Sequence, residues 1–93
     1  MSTDLSPDLL NRPLELDPQV SVRPEPFGAL AYHHGNRRLV FLKHPDLVTI
    51  AHSLAEHPSL AAALMANGIE PSRWPSFASA FRSLQQSEVV RER

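Results

Sequence analysis

The chain has 93 residues, 42% of them hydrophobic and 20% charged, with a formal net charge of −1 and no cysteine. That length holds one domain on one core, and the near-neutral charge supplies no overall field for nucleic acid or an anionic membrane. The missing thiols remove disulfides, thiolate metal sites, iron–sulfur ligation and a cysteine nucleophile together.

Pro7, Pro13 and Pro18 interrupt every candidate element before residue 18, so residues 1–17 are predicted to be a flexible tail and residues 18–93 the folded domain. The segment Met1 to Leu16 carries Asp4, Asp8 and Glu15 where a secretory signal has a basic region and an apolar run. With no apolar stretch near the ~20 residues that cross a bilayer, the expected compartment is the cytoplasm and no membrane partner is expected.

Val20 and Val22 alternate with polar neighbours and run into Pro24, which predicts a short strand. The run from Gly28 to His33 alternates, and the run from Arg38 to Lys43 is almost continuously apolar; both read as strands. Between them His34-Gly35-Asn36-Arg37 supplies residues that tolerate positive φ, which predicts an antiparallel hairpin.

After His44-Pro45 the period changes to that of a helix. Leu47, Ile50, Ala51, Leu54 and Ala55 share a face, Pro45 suits a first turn, and the helix is predicted to end near His57-Pro58. Ser59 can cap a second helix in which Leu60, Ala61, Ala63, Leu64 and Met65 are expected to face inward, until Gly68 stops it. Trp74, Phe77, Ala78, Phe81 and Leu84 recur at steps of three and four in a third. Three strands followed by three helices predict an α+β fold, with helices on one side of a small antiparallel sheet in a winged helix-turn-helix-like order.

Chemistry-bearing residues are scattered. His33 and His34 are strand neighbours pointing to opposite faces, and His52 and His57 lie about 140° apart on a helix, so no pair has zinc-ligand geometry. Gly28, Gly35 and Gly68 are too far apart to form a phosphate loop, and no nucleophile has a base at recognisable spacing. No catalytic residue, metal or cofactor is expected.

Backbone groups at the sheet edges are the more informative feature. A three-stranded meander saturates its middle strand and leaves each outer strand with an unpaired row. Pro24 and Pro26 deprive the first strand of donors, whereas the segment Arg38, Leu39, Val40, Phe41, Leu42, Lys43 contains no proline and is rich in β-formers. It is suited to accept an extended peptide as a further strand. Phe77, Phe81 and Leu84 on the third helix are the expected groove wall, and Arg73 and Arg82 with Arg37, Arg38 and Lys43 would make that groove attractive to an acidic peptide. Two other readings share the outline: a DNA-binding winged helix, disfavoured by the charge balance, and a module that pairs the same edge with a second copy to make a homodimer.

The run Val20-Ser21-Val22-Arg23-Pro24-Glu25-Pro26-Phe27-Gly28, continued by Ala29 to Gly35 and by Arg38-Leu39-Val40-Phe41-Leu42-Lys43, resembles the peptide chaperones of mycofactocin biosynthesis, over about residues 18–90. These are similar to the peptide chaperone of pyrroloquinoline quinone biosynthesis and share its fold, the RiPP recognition element. The resemblance implies that the leader of the mycofactocin precursor peptide adds to the third strand at Leu39, Val40, Phe41 and Leu42, beside Phe77, Phe81 and Leu84. It also implies that the bound precursor is handed to a radical S-adenosylmethionine (radical SAM) maturase acting on a C-terminal Val-Tyr, with all iron–sulfur chemistry in that enzyme.

Overall fold

Alternation and turn chemistry produce the sheet that they predict. The computed structural model describes residues 9–93, in the order β1 (Leu14–Leu16), β2 (Val20–Glu25), β3 (Gly28–His33), β4 (Leu39–Leu42), α1 (Pro45–Ser53), α2 (Leu60–Ala66), α3 (Trp74–Gln86) and β5 (Val90–Glu92). Short 3-10 turns at Leu54–Glu56 and Pro71–Arg73 precede α2 and α3. Strands β2, β3 and β4 form an antiparallel meander with β3 in the middle, and β1 pairs with β5 in a separate two-stranded sheet. The architecture is α+β, with α1 packed against β3 and β4 of the meander.

Small residues set that packing. Ala29 and Ala31 on the inner face of β3 are fully buried, and their short side chains let α1 lie close against the sheet through Leu47 and Ile50. The helix ends follow the expected signals. Pro45 opens α1, the Ser59 hydroxyl accepts from the Ala62 N–H at 3.1 Å, and Gly68 beyond α2 has φ of 75°. Trp74 is half-buried, and its indole N–H is satisfied by the Ile69 carbonyl at 3.0 Å.

The β3–β4 hairpin is tied from beneath by a histidine. His33 is buried, and its Nδ1 accepts from the backbone N–H of Gly35 at 3.0 Å and of Asn36 at 3.1 Å. The same ring presents Nε2 at 3.8 Å from an Asp17 carboxylate oxygen. The other hairpin depends on a glycine. Gly28 has φ of 153°, and a Cβ there would stand 1.9 Å from the Leu42 carbonyl oxygen, so only glycine lets the β2–β3 turn pass the end of β4.

The predicted flexible tail is corrected within the described residues. Leu14 is 1% exposed and Leu9 is buried, both in the one core that also holds Phe81 and Val90. Leu14, Glu15 and Leu16 pair with Glu92, Arg91 and Val90. The stitching continues outside the strands: Leu60 N–H donates to Arg12 C=O at 3.0 Å, Asp17 N–H to Val89 C=O at 2.9 Å, and Arg93 N–H to Pro13 C=O at 2.8 Å. Pro13 and Pro18 bracket a strand that is too short to show a period and gains its stability from the far end of the chain. Residues 1–8 of the expected tail lie outside the described residues.

Two stability outcomes follow from these contacts. Leu14→Ala is expected to lower unfolding free energy by about 2–5 kcal/mol in urea denaturation, where a mobile tail residue would change it by less than about 0.5 kcal/mol. Gly28→Ala is expected to lower the thermal midpoint by several degrees, because a backbone carbonyl cannot step aside as a side chain can; an unchanged midpoint would contradict the close approach.

Candidate functional site

Hydrogen bonding in an antiparallel pair links directly opposite residues and skips alternate positions, so the register tells which backbone groups are used. His33 N–H donates to Arg38 C=O at 3.0 Å, and the ladder continues through Ala31 opposite Val40 and Ala29 opposite Leu42. The Arg38 carbonyl and the backbone groups of Val40 and Leu42 therefore turn toward β3. Leu39 and Phe41 turn theirs the other way, and among the described residues no strand pairs on that side of β4.

The opposite edge is closed. His34 N–H donates to Gln19 C=O at 2.8 Å, so Ser21, Arg23 and Glu25 bond to β3, while Val20, Val22 and Pro24 face outward. Pro24 has no N–H, and the Val20 N–H already donates to Asp17 C=O at 2.9 Å. Among the described residues Val22 alone keeps an outward donor on β2, too little for another chain to pair with.

Between the start of α1 and α3 lies a groove of about 260 Å³, lined by His44, Leu47, Arg73, Ser76, Phe77 and Ala80. Its floor is apolar: Leu47 comes from α1, and Phe77 and Ala80 from α3. Its rim is charged. The Arg73 guanidinium lies 5.3 Å from the centre of the Phe77 ring and donates to the Asp46 carboxylate at 3.1 Å. Both partners of that ion pair are about half exposed, so it contributes no more than ~1 kcal/mol, and its effect is to hold the arginine over the aromatic wall.

The expected site residues separate into three groups. Leu39 and Phe41 carry the open backbone row, Arg38 and Lys43 flank it exposed, and Arg73 and Phe77 line the groove. Val40 and Leu42 point inward, and their backbone groups belong to β3, so they do not offer the pairing expected of them. Phe81, Leu84 and Arg82 are corrected as groove residues. Phe81 is fully buried and Leu84 is 5% exposed; both belong to the core beneath the sheet. Arg82 lies two residues past Ala80, about 200° around α3, and so emerges on the side away from the groove.

Sequence reasoning missed His44, Ser76 and Ala80 and assigned Leu47 only to the core. A signal was present: Arg73, Ser76, Phe77 and Ala80 fall at i, i+3, i+4 and i+7, one stripe of α3. Among the described residues no three His, Asp or Glu side chains gather as a metal site.

Comparison with known proteins places this geometry in context. Residues 13–91 match the sequence profile of the Peptide chaperone MftB family. The chain is 46% identical over 72 residues to the peptide chaperone MftB of Mycolicibacterium smegmatis, covering 77% of this chain and 71% of that one. It is 41% identical over 80 residues to the protein of that name from Mycobacterium ulcerans, covering 86% and 73% of the two chains. For the Mycobacterium tuberculosis protein of the same name the figures are 37% over 89 residues, 96% and 79%. No solved structure matches significantly.

The division between core and groove is open to a stability measurement. Phe81→Ala is expected to cost about 3–5 kcal/mol in urea denaturation and Arg73→Ala no more than about 1 kcal/mol. Comparable losses for the two would contradict it.

Proposed function

The chain belongs to the Peptide chaperone MftB family, and from that premise we propose that it captures an extended precursor peptide by strand addition to β4 and holds it for a modifying enzyme. The single observation that carries this reading is the outward row of N–H and C=O groups on Leu39 and Phe41, with which no strand pairs among the described residues. A peptide strand laid there completes the row and extends the sheet by one strand.

Magnitudes assign a separate task to each part. About four main-chain bonds at roughly 0.5–1.5 kcal/mol each fall short of the ~8 kcal/mol that micromolar affinity requires. The remainder comes from inward-facing apolar side chains of the peptide in the groove against Leu47, Phe77 and Ala80. Backbone pairing sets where and in which direction the peptide lies; the groove selects which peptide it is.

The fuller reading follows the family resemblance. The peptide is the leader segment of the mycofactocin precursor, and the recipient is a radical SAM maturase acting on the peptide's C-terminal Val-Tyr. The chaperone contributes binding and orientation, and all redox chemistry belongs to that enzyme. Acidic residues in the leader would be favoured by Arg38, Lys43 and Arg73 around the site.

Proline substitution tests the edge directly. Phe41→Pro removes an outward donor and leaves the β3–β4 bonds in place, so circular dichroism is expected to stay unchanged while calorimetric titration of a synthetic leader shows binding lost. Unchanged affinity would refute strand addition at β4. Tight, salt-sensitive binding of duplex DNA in a parallel titration would overturn the peptide reading in favour of a nucleic-acid one.

A further inference from the structure

An antiparallel sheet with one wet face ordinarily turns polar side chains outward. The meander departs from that rule progressively from one edge to the other. On β2 the outward side chains are Ser21 and Arg23, the latter paired with Glu25 at 2.8 Å. Opposite them on β3 stand Tyr32 and Leu30, and opposite those on β4 stand Leu39 and Phe41. Leu39 is 59% and Phe41 53% exposed, and Phe27 from the β2–β3 turn packs edge-on against Phe41 with ring centres 5.6 Å apart.

The outer face thus becomes apolar as it approaches the β4 edge, which among the described residues has no strand partner. A partner covering the whole face would bury the charged Arg23 and Glu25 along with the rest. A strand added to β4 meets the apolar end alone, because alternate side chains of that strand emerge beside Leu39 and Phe41. Lys43, one step further in the same alternation, brings a cation to the end of the row.

Resting on the strand-addition reading, we infer that the docked peptide is gripped on both faces of the extended sheet, with its outward side chains against Leu39 and Phe41 and a carboxylate near Lys43. Leu39 and Phe41 are then specificity-determining residues twice over, through their backbone groups and through their side chains. The consequence for the ligand is a short continuous apolar run with an acidic neighbour. A groove alone would ask for apolar residues only at every second position.

Leu39→Ser and Phe41→Ser keep the backbone donors and change side chains that are more than half exposed, so the fold is expected to persist in thermal unfolding. Titrated with a synthetic leader of the mycofactocin precursor, Phe41→Ser is expected to bind about three- to tenfold more weakly than the parent. Hydrogen exchange should still show the amides of residues 39 and 41 protected at saturating leader. Serine substitutions along the leader should couple to Phe41→Ser at alternate positions only. Parental affinity in both serine variants, with those amides still protected, would overturn the two-faced grip and leave strand addition standing. Absence of leader-induced protection at residues 39 and 41 in the parent protein would remove strand addition itself. A dimer that dissociates on Phe41→Ser and ignores the leader would assign the patch to a second copy and overturn the inference.

Discussion

Each strand of a sheet directs half of its backbone hydrogen-bonding groups to either side, so a three-stranded meander necessarily leaves two rows without a strand partner. This protein treats its two rows in opposite ways. On β2 a proline lacks the donor and an aspartate carbonyl occupies another N–H, which closes that edge to pairing. On β4, among the described residues, no strand pairs with the outward groups of Leu39 and Phe41, which lie between the basic residues Arg38 and Lys43. Among the described residues, the asymmetry leaves one line on the molecule suited to pairing with a further strand.

The remainder of the fold keeps that line straight and in place. Gly28 lets one turn pass within contact of the Leu42 carbonyl, and the buried His33 imidazole gathers the backbone of the next turn. Asn36 in that turn reaches Glu88 beyond α3 at 3.0 Å, which ties the hairpin to the end of the groove-lining helix. The β1–β5 pairing, with Arg93 side-chain bonds to the carbonyls of Ala55 and His57, holds the two ends of the described chain against the helices. A domain of this size has only a few kcal/mol in reserve, so these long-range ties matter more than they would in a larger protein.

On the proposed reading the recognition surface is an edge and a shallow groove, both wet, whereas shifting a catalytic pKa and excluding water require an enclosed interior. An added strand needs no enclosure, because its main-chain bonds are directional even at a surface and its apolar side chains find their own cover. On the proposed two-faced grip, side chains on both sides of the extended sheet discriminate between peptides whose backbones pair equally well.

Local sequence determined the elements whose causes lie within a few residues: the hairpin at His34 to Arg37, the Ser59 cap, the Gly68 stop, the helical phase of α3 and the prolines that spoil β2 as an edge. The resemblance carried by residues 20–43 pointed to the family through the same segment. Tertiary structure decided what depends on residues far apart. Leu14–Leu16 became a strand because Val90–Glu92 lies opposite it, and three residues between prolines carry no period that could announce this. Phe77, Phe81 and Leu84 are alike as a helical stripe and all three are buried in the core, yet tertiary packing leaves only Phe77 of the three lining the groove as well. The outward donors of β4 belong to Leu39 and Phe41 because His33 and Arg38 form a bonded pair, a matter of one-residue register. Hydrophobicity along a chain reports that a side chain prefers burial, and the shape of what surrounds it decides whether that preference is met by the protein's own core or by a visiting strand.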